Sequence, residues 1–380
     1  MDDAPYEGLF VLDAGQGIAG PYCGMLLAAC GADVVKLEPP DGDWSRGLGT
    51  RREGQSVMHA TFNRGKRSIV LDLRSADGRA AASRLAAQAD VLIESFRPGV
   101  AARLGLGPEA VRPDAVCVSI SGFGQRGPYA ERPCTDSVAQ AFNGLMFANR
   151  DEEGAPRKVG ALASDMATGL HAFAAVQAAL ASRWRDTAAG RPARRRVLDV
   201  SLMAGTAALL SFPIAEAGLL GRVPDALNIP AGCYRCADGA WIAIALVREA
   251  EFTALCGALG REDLLQDPRF GSFASRAEHR AALLPELCAA FEGRGAAEWL
   301  ERLAAARVMA DRANGPNEWL ADPHVRAVGA APLLDQPGLG RMPFPLLPGL
   351  PEPRGPAPAL GEHTAEILAA FGPAPIPEPS

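Results

Sequence analysis

Two periodicities alternate along the first two hundred residues. Short apolar runs bounded by Gly, Pro or Asp read as buried strands: Leu9 to Asp13, Val34 to Leu37, Ser68 to Leu73, Asp90 to Phe96, Val116 to Ile120 and Val197 to Leu202. Between them lie Ala-rich stretches with apolar positions three and four apart, at Pro21 to Cys30, Ser75 to Ala89 and, longest, Ser164 to Trp184. In the longest, Met166, Leu170, Phe173, Val176 and Leu180 predict one buried helical stripe, with Ser164 and Asp165 at the helix head. Strands and helices in alternation, joined by short turns, predict an α/β layer with a largely parallel sheet, whose ligands sit at the carboxyl ends of its strands.

Beyond Leu202 the pattern changes. Ser201 to Leu220 reads as helix and Gly221 to Pro230 as a linker. Ala231 to Ala245 reads as a hairpin turning at Asp238-Gly239. Helical segments follow near Glu249 to Leu259, Arg276 to Glu292 and Ala296 to Ala305, so this half predicts a smaller α+β domain. Pro and Gly crowd Pro343 to Pro358, predicting irregular chain before a short helix at Glu362 to Phe371 and a frayed tail from Gly372 to Ser380.

Composition narrows the classes. A chain of 380 residues exceeds one ordinary core and suggests two lobes, and 48% hydrophobic with 22% charged residues is the balance of a soluble globular protein. No apolar run approaches the ~18 residues of a membrane span. The start, Met1-Asp2-Asp3, lacks a basic stretch followed by an apolar core, so no secretory signal is expected and the expected location is cytoplasmic. A net charge of -6 argues against a nucleic-acid binder, and the one tight basic run, Arg194-Arg195-Arg196, reads as a solvated cluster. Eight scattered Cys suit reduced thiols. Only Cys233 and Cys236 form a C-x-x-C, and without a second pair or close His residues no metal site is expected.

Gly15-Gln16-Gly17-Ile18-Ala19-Gly20 is a literal G-x-G-x-x-G between strand and helix, and Glu38 follows eighteen residues later. By spacing it is a dinucleotide fingerprint, which keeps a nicotinamide-dependent oxidoreductase among the alternatives. Asp165, taken locally, reads as an N-cap.

Read together, several blocks resemble the class III coenzyme A transferases, the CaiB/BaiF family. They are Glu38-Pro39-Pro40-Asp41-Gly42-Asp43 with Arg46; Asn63 to Leu73; Asp90 to Gly99; Ser121 to Tyr129; and Asp165-x-x-x-Gly169 heading its Ala-rich helix. The resemblance implies a Rossmann-like large domain over residues 1–205 and 325–380, a linker helix over 206–224 and a small domain over 225–320. It further implies that two chains interlock as rings in a homodimer. Asp165 would be the covalent nucleophile, moving coenzyme A from an acyl-CoA thioester to a free carboxylic acid through an aspartyl anhydride and an aspartyl-CoA thioester. Gln16, Ala19, Leu71, Arg74, Ser95, Phe96, Arg97 and Arg103 would contact coenzyme A, which enters as substrate, with no permanently bound cofactor.

Two branches fit less well. Formyl-CoA transferases carry a Gln where Ile18 stands and a glycine run in the second lobe that is not evident here. The racemase branch carries a His directly before the residue corresponding to Asp136, where this chain has Thr135. His171, six residues along the helix from Asp165, lies on a different face and reads as a helix-packing or surface residue. An α-methylacyl-CoA racemase-like enzyme remains the nearer alternative.

Overall fold

The computed structural model describes residues 4–151, 153–223 and 228–371. Each apolar run of the first half becomes a strand: β1 (Phe10–Ala14), β2 (Asp33–Glu38), β3 (Arg67–Val70), β4 (Val91–Glu94), β5 (Val116–Ser121) and β6 (Arg196–Ser201). They form one sheet in the order β3-β2-β1-β4-β5-β6, with every neighbouring pair parallel. The order reverses between β1 and β4, and a crevice opens there beyond the strands' carboxyl ends. Val11, Leu12, Val35, Leu92, Ile93 and Val118 are fully buried, because helices cover both faces of the sheet.

Helix α1 (Ala19–Ala29) buries all eleven of its residues. Helix α2 (Ala76–Gln88) is capped by Ser75, whose Oγ accepts from the Gly78 N–H at 2.9 Å. Then come α3 (Asp136–Phe142), α4 (Ala163–Ala188), α5 (Leu202–Leu209) and α6 (Ser211–Leu220). Two glycines let α4 lie against its neighbours at backbone distance. A methyl at Gly169 would fall 2.8 Å from the Ala19 carbonyl oxygen, and one at Gly205 would fall 2.3 Å from Thr168 Oγ1.

This close approach corrects the expected stripe. Phe173, Val176 and Leu180 are buried, but Met166 and Leu170 are 37% and 47% exposed. In the first turns of α4 the core side is made of Ala167, Thr168 and Gly169, since nothing larger fits between α1 and α5. The N-cap reading of Asp165 is likewise corrected. Leu162 occupies the cap position without a side-chain bond, and Asp165 is the third residue of the helix.

The chain forms two compact units, one comprising Met1–Ser211 with Ala330–Ser380 and the other Phe212–Gly329. In the first, the late segment docks on β3: the His363 N–H donates to the Ser68 carbonyl at 3.0 Å and the Val70 N–H to Thr364 Oγ1 at 3.1 Å. The second unit carries the expected hairpin, β7 (Gly232–Arg235) and β8 (Trp241–Ala245), turning where Gly239 adopts φ +78°. A third antiparallel strand, β9 (Met309–Arg312), pairs with β8. The helix expected over Arg276 to Glu292 is two, Phe273–Glu278 and Arg280–Phe291, and the core gathers Tyr234, Phe291 and Trp299. Residues 224–227 of the expected linker and the expected tail from Gly372 lie outside the described residues. Among the described residues no single helix is long and apolar enough to cross a membrane.

Candidate active site

The turn from β1 into α1 is held from beneath by buried charge. Asp13 Oδ1 accepts from the Gly15 N–H at 3.0 Å, while its Oδ2 meets Lys66 Nζ at 2.7 Å. Lys66 also donates to the Pro21 carbonyl and to Asn63 Oδ1. Lys36 pairs with Asp43 at 2.7 Å and donates to the Gly15 carbonyl; Asp43 in turn accepts from the Gly17 N–H at 3.0 Å. Burial pulls the Lys66 ammonium down to about 8 against the attraction of Asp13. The Lys36 ammonium is also penalised by burial, but Asp43, Asp13 and Glu38 around it hold it above the usual lysine range.

These contacts correct the dinucleotide reading. Glu38, the acid spaced to hold a ribose, is consumed inside the protein: both oxygens accept from Arg46 at 2.7 Å, and Ser68 Oγ and the Asp43 N–H also donate to it. Burial works against its charge, yet Arg46, Lys36 and the Ser68 hydroxyl hold the carboxyl down to about 2. The indole of Trp44 covers Gly17 so closely that a Cβ there would lie 2.0 Å from the ring. The glycines serve packing, and the approach to Gly17 is covered by the indole.

Two cavities open at the switch point of the sheet. The first, about 300 Å³, is walled by Ile18, Trp44, Phe96 and Leu202, with Gln16, Ser95 and Thr135 as polar groups and Asp165 at its edge. The second, about 290 Å³, runs between Pro39, Leu71, Leu73 and Arg74 and shares Gln16 and Phe96 with the first. The shared wall is pinned, because the Gln16 N–H donates to Ser95 Oγ at 2.8 Å and the Phe96 N–H to Glu94 Oε2 at 2.8 Å. Burial pushes the Glu94 carboxyl up.

Of the residues singled out in the sequence, Gln16, Ala19, Ser95, Phe96 and Asp165 line the first cavity, and Leu71 and Arg74 line the second. Arg74 is mostly exposed and paired with Asp72 at 2.9 Å. Arg97 and Arg103 line neither cavity and are exposed on the turn and short helix that follow β4. His171 is exposed and lines neither.

Asp165 accepts no hydrogen bond among the described residues. Burial pushes its carboxyl up to about 7, the neighbouring Asp136 carboxylate adds to the rise, and Lys158 opposes it. The sequence reading gave Asp136 no role, though its i,i+4 spacing to Gln140 on one helical face was a signal. It also passed over Trp44, and over the charges of Asp13 and Lys36 inside otherwise apolar strands. A charge in a strand buried on both faces needs a partner, and that requirement was the available clue.

At the mouth of the first cavity the N–H groups of Ala19 and Gly20, in the first turn of α1, have no acceptor among the described residues. The site therefore combines an unpartnered carboxylate of raised basicity, free backbone donors and a groove leading away along a shared wall. Such a set suits acyl exchange on a carboxylate.

The comparisons with known proteins point to the transfer of coenzyme A. The profile of CoA-transferase family III matches residues 6–364. Succinyl-CoA–D-citramalate CoA-transferase of Chloroflexus aurantiacus is 34% identical, with 96% of this chain and 93% of that protein covered. Succinate–glutarate CoA-transferase of Agrobacterium fabrum is 32% identical, with 96% and 95% covered. A crystal structure of a CAIB/BAIF family protein from Brucella suis superposes with a TM-score of 0.82 at 32% identity, covering 97% of this chain and all of that one. The fold, the carboxylate at the cavity edge and these likenesses converge: the chain belongs to CoA-transferase family III, the CaiB/BaiF family, and is a class III CoA-transferase.

Proposed function

We propose that this enzyme moves coenzyme A from an acyl-CoA thioester to a free carboxylic acid by covalent catalysis on Asp165. An Asp165 oxygen attacks the thioester carbonyl carbon, the C–S bond breaks, and coenzyme A leaves as thiolate from a mixed aspartyl anhydride. The thiolate then attacks the aspartyl carbonyl and expels the donor acid as carboxylate, leaving an aspartyl-CoA thioester. The acceptor carboxylate attacks that thioester carbonyl, releasing the thiolate and forming a second anhydride. Attack of the thiolate on the acceptor's acyl carbon yields the new acyl-CoA and frees Asp165. No proton is consumed in the cycle, and the nucleophile resembles the acids it exchanges, so the exchanges run near balance.

The Ala19 and Gly20 N–H groups would receive the developing oxyanions. Gln16, Ala19, Ser95 and Phe96 would hold the thiol end and the arm, while Leu71 and Arg74 would hold the nucleotide, with Arg97 and Arg103 as phosphate partners at the rim. The observation that carries the reading is Asp165 itself, a carboxylate without donors, raised to about 7, at the edge of a cavity joined by its wall to a second groove.

The similar proteins named for succinyl-CoA or succinate make succinyl-CoA the first donor to test, with small dicarboxylic acids as acceptors. The working assembly would be an interlocked homodimer in the cytoplasm. Exposed apolar side chains along α6, among them Phe212, Ile214 and Leu219, support an interface.

Intact-protein mass spectrometry after incubation with a panel of acyl-CoA thioesters tests the mechanism. The expected result is a coenzyme A or acyl adduct that maps to Asp165, is cleaved by hydroxylamine and is absent from Asp165→Ala. An adduct elsewhere, or transfer undiminished in Asp165→Ala, overturns it.

A further inference from the structure

The head of α4 is capped from outside the helix. Its own cap residue, Leu162, has no polar side chain, so its first N–H groups have no local acceptor. Asp136, 5% exposed at the start of α3, supplies one. Its Oδ1 accepts from the Ser164 N–H at 2.8 Å and, more weakly, from the Asp165 N–H at 3.4 Å. Its Oδ2 accepts from Gln140 Nε2 at 2.7 Å. Gln140, fully buried, also donates to the Ala161 carbonyl at 3.3 Å and accepts from the Val159 N–H at 3.0 Å. One carboxylate and one amide thus tie the segment preceding α4 and the first turn of α4 to a single rigid point.

An aspartate in the first turn of a helix ordinarily enjoys the N–H groups and positive dipole end there, which hold it ionised and weakly basic. In this enzyme Asp136 takes the Ser164 and Asp165 N–H groups. Asp165 retains none, and its nearest charged neighbour on α3 has the same sign. From the preceding loop it faces Lys158, whose Nζ is 4.0 Å from Asp136 Oδ2, and from the loop before α3 it faces the Cys134 thiol. The walls from α1 and α5 that line the same cavity, Ile18, Ala19, Gly20 and Leu202, bring no charge.

We propose that Asp136 is a positioning residue for the nucleophile: by capping α4 from α3 it withholds the helix donors from Asp165 and sets a second carboxylate behind it, keeping Asp165 basic enough to attack. This rests on the transferase reading above. Greater basicity strengthens a carboxylate nucleophile, while the cap fixes the backbone from which it attacks. Gln140 holds Asp136 in that pose.

The test is Asp136→Asn, which keeps an oxygen acceptor for the Ser164 N–H and removes the charge. Asp165 is followed by carbon-13 NMR titration of aspartate carboxyls, with Asp165→Asn identifying its signal, and covalent labelling by acyl-CoA is timed in parallel. In Asp136→Asn the midpoint of Asp165 is expected to fall by at least about one pH unit, and labelling near pH 8 to slow roughly tenfold. A midpoint unmoved by the substitution, or a native Asp165 titrating near the ordinary value of about 4, overturns the proposal.

Should Asp136→Asn fail to fold, Lys158→Gln serves, since that side chain is half exposed. Its expected effect is opposite, a higher midpoint, and a fall or no change overturns the proposal. If the native enzyme takes label from no acyl-CoA while the midpoints move as expected, the transferase reading fails, and what stands is that Asp136 keeps Asp165 basic.

Discussion

Asp165 carries a stability cost that its chemistry explains. Its carboxyl titrates near 7 in the fold and near ~3.9 in the unfolded chain, so the unfolded state gives up the proton first as pH rises. A carboxyl raised by folding destabilises the native state increasingly from about pH 4 upward, and fully above about 7. Asp165→Asn is therefore expected to raise stability by roughly 1–2 kcal/mol near pH 8 and by less near pH 5, while abolishing transfer. Thermal unfolding at the two pH values checks the sign. The native transfer rate is expected to climb as pH rises through about 7, because only the carboxylate attacks. The buried pairs behave differently. Lys66→Met removes the counter-ion that Asp13 Oδ2 meets in the core, a loss of about 3–5 kcal/mol readable in denaturant unfolding. At this scale Asp165 could be singled out because its helix stands in a recognisable series of blocks. Asp136 and Gln140 could not be, because their i,i+4 spacing marks a pair on one helix and says nothing of the second helix that the pair caps.

Elements were easier to read than residues. Parallel strands covered on both faces must be continuous apolar runs, and the six runs of the first half became the six strands of the sheet. Strand β9 was missed for the converse reason, since Met309, Asp311 and Arg312 are exposed and leave no run to detect. The stripe of α4 was misplaced because periodicity marks large apolar residues, whereas the contact with α1 selects small ones. Gly169→Ala tests that contact. Its methyl would meet the Ala19 carbonyl oxygen at 2.8 Å, forcing α1 and α4 apart beside both Asp165 and the free N–H groups. The expected loss is about 1–3 kcal/mol of stability, with a fall in labelling rate larger than that seen for a surface Ala substitution. Gly17→Ala is the companion on the other wall. With φ +80° and Trp44 within 2.0 Å, the substitution is expected to dislodge the indole and change tryptophan fluorescence.

For the whole molecule, the proposed homodimer predicts a light-scattering mass of twice 39.7 kDa. Leu219→Glu, at a position 86% exposed in the isolated chain, is expected to lower that mass toward one chain without unfolding it. The second unit interrupts the first, which resumes only at Ala330. During synthesis the nascent chain therefore presents β3 long before its covering segment exists, for the partners of Ser68 and Val70 are Gly361, His363 and Thr364. Phe212–Gly329 is continuous, so all of it is made before the first unit resumes. The part encoded first is finished last: on a ribosome stalled before residue 360, Ser68 and Val70 still lack the segment that covers them.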